Sequence, residues 1–372
     1  MTGPDREASA RELKAAVTAD DVERLARRVL PCAVRDFVAG GSGTETTLAA
    51  NRRALDRVHL VPRVLRDVSR ASTAASLLGS DALLPAAVAP VAYQRLLHPE
   101  GELALARAAA AHGVPFTVST LSSRPVEEIA ATGAMTWFQL YWLRDPGERR
   151  ALVRRAEDAG CAAVLLTVDV PWMARRPRDV RNGFALPPDV TAAHLAPRGP
   201  SRAHDASRGG SAVAAHTAQA FAPAVTWRDV AELRSLTRLP LVLKGVLAAE
   251  DAARAADLGV DGLVVSNHGG RQLDGAVPAV DALADVVAAA AGRCAVLMDS
   301  GVRSGTDVLR ALALGADGVL LGRPLLWGLA AGGEAGARHV LGLLARELRD
   351  ALGLAGCADI AAARRLETVR AP

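Results

Sequence analysis

Lysine is almost absent from this chain of 372 residues: of 44 basic side chains, only Lys14 and Lys244 are lysine. Aromatic residues make up 3%, and the two tyrosines are Tyr93 and Tyr141. A type that scarce is less readily explained as filler when it stands at a strand end. The four cysteines, Cys32, Cys161, Cys294 and Cys357, are widely spaced and form neither CxxC nor a Cys/His metal pattern. Neither a disulfide framework nor a metal site is predicted, and a reducing compartment fits. No apolar run approaches the roughly 18 uncharged residues of a membrane span. The polar opening Met-Thr-Gly-Pro-Asp-Arg-Glu has no apolar signal core, so a cytoplasmic protein is expected. The formal charge of +4 comes from scattered arginines. No basic stretch is interleaved with aromatics, which argues against nucleic-acid binding.

Half of the residues are hydrophobic, enough for a large core. Residues 1–75 read as an N-terminal helical segment, interrupted at Pro31 and resuming over about 45–55. From Leu83 onward the chain repeats strand, loop and helix. Apolar runs at 85–90, 114–119, 136–141, 162–169, 239–244, 262–266, 294–299 and 318–322 read as buried parallel strands. Helical stretches such as 102–112, 146–159, 249–258, 280–291 and 304–314 separate them. Eight strands with intervening helices predict an α/β fold, a (β/α)8 TIM barrel over 76–372 with an N-terminal helical extension packing on it. A doubly wound open sheet is the competing architecture, but no GxGxxG follows the first strand. The stretch 177–225 is far longer than an ordinary loop and follows strand four. It reads as a lid or an insertion, ordered over 181–187 and mobile over the Ser/Gly-rich 202–215.

Catalytic groups of such barrels gather at the C-terminal strand ends. Pro90, Ser119, Tyr141, Asp169, Lys244, His268, Asp299 and Gly322-Arg323 all fall there. The most informative stretch is Ser266-Asn267-His268-Gly269-Gly270-Arg271-Gln272-Leu273-Asp274-Gly275. It places a potential base and a fixed cation three residues apart, with two glycines that permit a sharp backbone path. Histidine accepts a proton near neutral pH, and arginine clamps a carboxylate through paired hydrogen bonds. The pairing suggests chemistry on an acid with a removable proton beside its carboxylate.

With Phe138-Gln139-Leu140-Tyr141, Thr167-Val168-Asp169, Leu243-Lys244-Gly245-Val246 and Gly322-Arg323-Pro324 in the same order and spacing, the chain resembles the FMN-dependent α-hydroxy-acid oxidase and dehydrogenase family from about Asp21 to Leu366. Residues 37–43, 89–93 and 181–185 carry a narrower likeness to the branch that oxidises 4-hydroxymandelate in antibiotic biosynthesis. The resemblance implies FMN as cofactor and His268 as the base, oriented by Asp169, whose charge would raise the imidazole's proton affinity. It implies Arg271 and Arg176 as carboxylate anchors and Tyr141 as the donor to the reacting hydroxyl. Lys244 would face the flavin and stabilise its anionic reduced ring. Pro90, Val91 and Ala92 would pass its edge, and Ser119, Gln139, Thr167 and Ser266 would meet its polar groups. Asp299 would hold ribityl hydroxyls; Ser300, Gly301, Arg303, Gly322 and Arg323 would surround the phosphate. More ordinary roles remain open here: Asp169 as a turn cap, Tyr141 satisfied by backbone, Lys244 paired with a carboxylate.

Two departures bear on the substrate. Phe37 stands where glycolate oxidase-like members carry Tyr, and Leu121 where some carry Trp. Both suit an aromatic acid. Ser300 stands where many members have Gly. The resemblance thus implies oxidation of (S)-4-hydroxymandelate or mandelate to the aryl glyoxylate, with dioxygen reduced to hydrogen peroxide, by a homo-oligomer (tetramer or octamer). A dehydrogenase with another electron acceptor, an oxidase of a different biosynthetic substrate, and a non-catalytic flavin-binding barrel stay open at this level.

Overall fold

In the computed structural model, which describes residues 11–195, 203 and 212–371, eight short apolar segments pair side by side, each parallel to the next, until the last closes on the first. Three short strands precede them: β1 (Val58–Leu60), β2 (Ala75–Leu77) and β3 (Ser80–Ala82). The barrel is β4 (Ala86–Val88), β5 (Phe116–Ser119), β6 (Thr136–Leu140), β7 (Val164–Thr167), β8 (Leu241–Val246), β9 (Gly262–Val265), β10 (Ala295–Met298) and β11 (Gly318–Leu321). The expected (β/α)8 architecture is therefore present. The strands are generally shorter than their apolar runs because hydrogen-bonded pairing stops before the hydrophobic residues do. β8 instead runs past Lys244 to Val246, with a register irregularity against β9 between those two residues.

The barrel interior is filled by Trp137 beside small and branched neighbours: Ala87, Ala163, Leu165, Val242, Val264 and Leu297. One large ring set among smaller residues packs the inside of the barrel. The β2–β3 hairpin closes the N-terminal end. Leu77, 1% exposed, joins that inner cluster. A larger cluster packs the helices onto the outside of the strands.

The N-terminal segment departs in part from the helical expectation. It is helical over Ala19–Val29, Cys32–Ala39 and Thr46–Asp56, with Thr18 and Asp21 capping the first of these reciprocally. After Asp56 it turns extended: β1 pairs antiparallel with the C-terminal strand β12 (Thr368–Arg370), and β2 with β3. Periodicity over so few residues gave no strand signal, since these pairings join distant parts of the chain.

Within 177–225, Pro177–Arg181 is helical and Phe184 is buried. A further helix, Ala212–Ala220, begins inside the stretch expected to be mobile; residues 196–202 and 204–211 lie outside the described residues. The return strap is fixed to the segment after β6. Ala222 N–H donates to Trp142 O at 2.8 Å, and Arg144 N–H to Ala220 O at 2.9 Å.

Candidate active site

The loop from Ser266 to Gly275 is built against the N-terminal segment. Asn51 and Asn267, both buried, exchange side-chain amide hydrogen bonds at 2.9 and 2.7 Å. The Asp274 carboxylate accepts the backbone N–H groups of Thr44 and Thr47. Gly270 has φ +74°, and a Cβ there would stand 2.6 Å from the Leu48 backbone. Only glycine lets the loop and the helix Thr46–Asp56 approach this closely. The conspicuous motif is thus half docking surface, half chemistry.

His268 takes φ +59°, and its Nδ1 lies 3.1 Å from Asp169 Oδ1. An ionised carboxylate can only accept, so Nδ1 carries the hydrogen and Nε2 keeps its lone pair. Asp169 reaches the imidazole because β8 bulges at Gly245, φ +111°, where a Cβ would stand 2.5 Å from Asp169 Cβ. Burial lowers the proton affinity of His268. Asp169 raises it and Lys244 lowers it, and the net shift is downward. Asp169 thus acts in the expected direction, and burial outweighs it.

Lys244 Nζ stands 3.0 Å from Asp299 Oδ2 and donates to Ser266 Oγ at 3.1 Å. Burial disfavours both charges, yet Asp299 and Asp169 leave Lys244 raised, while Lys244, Ser266 and Ser300 leave Asp299 lowered. The pair is ionic. Ser266 Oγ also accepts His268 N–H at 3.0 Å, so lysine and histidine loop share one hydroxyl. Behind them, Gln139 donates to Thr167 Oγ1 at 2.9 Å and accepts from Ser119 Oγ at 3.2 Å.

Four guanidinium groups crowd the same mouth. Arg271 is held well below the usual guanidinium range by burial and then by Arg176 and Arg323. Arg323 is pushed down to about 9 by burial, then by Arg303 and Arg176. Arg271 Nη1 donates to Phe37 O and Gly40 O, both at 2.8 Å. Arg323 donates to Val38 O, Gly269 O and Gly40 O. Among the described residues, neither has a carboxylate within ion-pair distance. Arg176 is 5% exposed, its Nε has no partner, and Asp179 is 4.0 Å from its Nη1. Buried cations this poorly compensated make a site for anions.

Of the residues singled out in the sequence, Phe37, Pro90, Val91, Ala92, Ser119, Tyr141, Arg176, Lys244, His268, Arg271, Asp299, Ser300, Gly301, Arg303, Gly322 and Arg323 line one cleft of about 1240 Å³. Asp169, Gln139 and Ser266 stand directly behind it, bonded to residues that line it, and Thr167 is bonded to Gln139. Leu121, also noted in the sequence, lies on its wall. Tyr93, Val213 and Phe221 line it as well and escaped assignment. Phe221 stacks on Tyr141 with ring centroids 4.5 Å apart, and Phe184 stacks on Phe37 at the same separation. Scarcity of tyrosine was the one signal that could have marked Tyr93.

Residues 26–369 match the family described as FMN-dependent dehydrogenase. The chain belongs to that family. It is 61% identical to 4-hydroxymandelate oxidase of Amycolatopsis orientalis, across 95% of this chain and 98% of that one. It is 48% identical to L-lactate oxidase of a Nostoc species, across 91% and 94%. A crystal structure of mandelate oxidase with (S)-4-hydroxymandelic acid superposes with a TM-score of 0.93 at 61% identity, covering 95% of this chain and 99% of that one.

FMN is the cofactor of this family, and the cleft fits it. A phosphate complements Arg303 and Arg323, whose side-chain hydrogen bonds among the described residues go to backbone carbonyls. Gly301, φ +106°, lies beside them on the same wall, and backbone N–H groups in such turns point at anions. A cationic Lys244 buried on the cleft wall suits an electron-rich ring.

Proposed function

We propose that this FMN enzyme oxidises an aromatic (S)-2-hydroxy acid, most closely 4-hydroxymandelate or mandelate, to the 2-oxo acid, and that dioxygen takes the electrons to give hydrogen peroxide. The observation that carries this reading is the meeting of a neutral imidazole, a protonated phenol and two poorly compensated guanidinium groups on one largely apolar wall.

Arg176 and Arg271 receive the substrate carboxylate, which relieves their mutual repulsion and fixes the α-carbon. Burial, then Asp169, pushes the Tyr141 phenol up to about 12. It stays protonated and donates to the substrate hydroxyl oxygen as that oxygen becomes a carbonyl. His268 Nε2 takes the substrate proton, and Asp169 stabilises the imidazolium through Nδ1–H. FMN, when bound, supplies the two-electron acceptor. Lys244 and Ser266, with Gln139, Thr167 and Ser119, would hold its ring; Asp299 would serve the ribityl chain from its place beside Lys244; Ser300, Gly301, Arg303, Gly322 and Arg323 would hold its phosphate. Pro90, Val91 and Ala92 would border the ring. Phe37 offers a face and no hydroxyl where the substrate's side group lies, and Leu121 leaves room beside it.

Anaerobic mixing of the holoenzyme with mandelate, 4-hydroxymandelate, lactate and glycolate tests the reading. The flavin band should bleach fastest with the two aromatic acids, and readmitted air should restore it with one peroxide per acid consumed. Faster bleaching by lactate or glycolate would overturn the substrate class. Restoration only by an added quinone or dye would overturn the acceptor.

A further inference from the structure

This inference rests on the aromatic-acid reading and concerns the far end of the ring. Tyr93 begins the short 3₁₀ turn Gln94–Leu96 with φ +56°, a left-handed conformation seldom taken by a bulky residue. Its backbone N–H donates to Leu121 O at 3.0 Å, which ties its position to the loop after β5. The side chain is 1% exposed and lines the same cleft as Tyr141. Its hydroxyl is buried and, among the described residues, has no hydrogen-bond partner. A buried hydroxyl left unpaired is costly and calls for an explanation. Tyr141, with Arg176 and Arg271 close by, serves the carboxylate end of the cleft. Tyr93, tied to Leu121 by its backbone, lines the cleft together with Leu96, Leu97 and Leu121, which offer no polar atom beyond their backbone. Burial, then Tyr141, raises the Tyr93 phenol, so the two rings are near each other.

We propose that the Tyr93 hydroxyl is a specificity group for a 4-hydroxyaryl acid: with the carboxylate on Arg176 and Arg271 and the ring against Leu121 and Phe221, the para-hydroxyl of the substrate exchanges a hydrogen bond with Tyr93. An unsubstituted ring fits the same apolar wall and leaves the phenol unpaired. A site built to bond a substrate hydroxyl discriminates against the analogue that lacks it.

The test compares wild-type holoenzyme with Tyr93→Phe, following anaerobic flavin bleaching by (S)-mandelate and (S)-4-hydroxymandelate. The ratio of reduction efficiencies, hydroxylated over unsubstituted, should fall about tenfold or more in Tyr93→Phe, while the value for mandelate stays within roughly threefold of wild type. An unchanged ratio, or an equal fall for both acids, overturns the proposal and leaves the aromatic reading standing. Wild-type enzyme bleached by neither acid overturns both. A second measurement needs no variant: in flavin difference spectra, wild-type enzyme should bind 4-hydroxybenzoylformate about tenfold more tightly than benzoylformate. Equal binding counts against Tyr93.

Discussion

Ser300 donates its hydroxyl hydrogen to Asp299 across 2.7 Å while holding its own backbone at φ +73°. The same oxygen accepts the N–H groups of Asn267 and Gly269, on either side of His268. Glycine would sit in this conformation without strain, so the serine is kept in place by three hydrogen bonds. Ser300→Gly and Ser300→Ala both remove them, but only alanine retains the strain. Flavin reduction should therefore slow similarly in the two variants, while Ser300→Ala melts lower, by about 1 kcal/mol of stability. Thermal unfolding of the holoenzymes beside stopped-flow reduction separates the two effects. A Ser300→Gly enzyme as fast as wild type would show that the hydroxyl does not position the loop.

For His268 the pH dependence has a fixed sign. Burial and Lys244 hold its proton affinity below the ordinary value despite Asp169. The base is therefore neutral at pH 7, and reduction should lose rate only as the pH falls below about 6.5. Replacing it by His268→Gln should leave the yellow cofactor bound and slow reduction by roughly a hundredfold or more. The acid limb should vanish with the imidazole. A limb that persists in the variant would belong to another group.

Arg176 and Arg271 should respond differently to loss of charge. Arg271 Nη1 holds two backbone carbonyls of the N-terminal segment, whereas Arg176 Nε holds nothing. Arg176→Met is expected to raise KM for the hydroxy acid about a hundredfold with the melting temperature unchanged or higher, because a poorly compensated buried cation is removed. Arg271→Met should raise KM and also lower the melting temperature. Melting curves and steady-state kinetics on both variants check this contrast.

Stability should fall in mild acid for a reason outside the catalytic groups. His194, 6% exposed, shares a hydrogen bond with Ser119 O at 3.1 Å and sets its ring edge-on to Phe138. Burial pushes its proton affinity down to about 4. Between that value and the ordinary 6.5, the unfolded chain binds a proton that the folded chain refuses. The stability is fully present above pH 6.5 and is lost on acidification, on the order of 3 kcal/mol by about pH 4. The melting-temperature difference between about pH 5 and pH 7.5 should shrink in His194→Phe; an unchanged difference would assign the acid sensitivity elsewhere.

The barrel strands were legible because parallel strands covered on both faces read as unbroken apolar runs, and the rim residues because they end those runs. Asp169, Lys244 and His268 could be placed together before any coordinates. Tyr93 and Phe221 could not. Their importance comes from which loop folds over which strand end, and a ring in a loop carries no periodic signal. The β2–β3 hairpin and the β1–β12 pair were missed for a similar reason: three residues cannot display an alternation. At His268 the sequence named the charged neighbour, whose effect has the expected sign, but not the loss of solvent that outweighs it.

The hairpin has an effect on traffic. With Leu77 corked among the inner side chains, the N-terminal end of the barrel is stopped among the described residues. On the proposed reaction, acid and oxo acid then both pass the rim end, where the oxidant also meets the flavin. Each cycle is then a queue at one threshold, where a product slow to depart delays the recharging of the enzyme as much as it delays the next molecule of fuel.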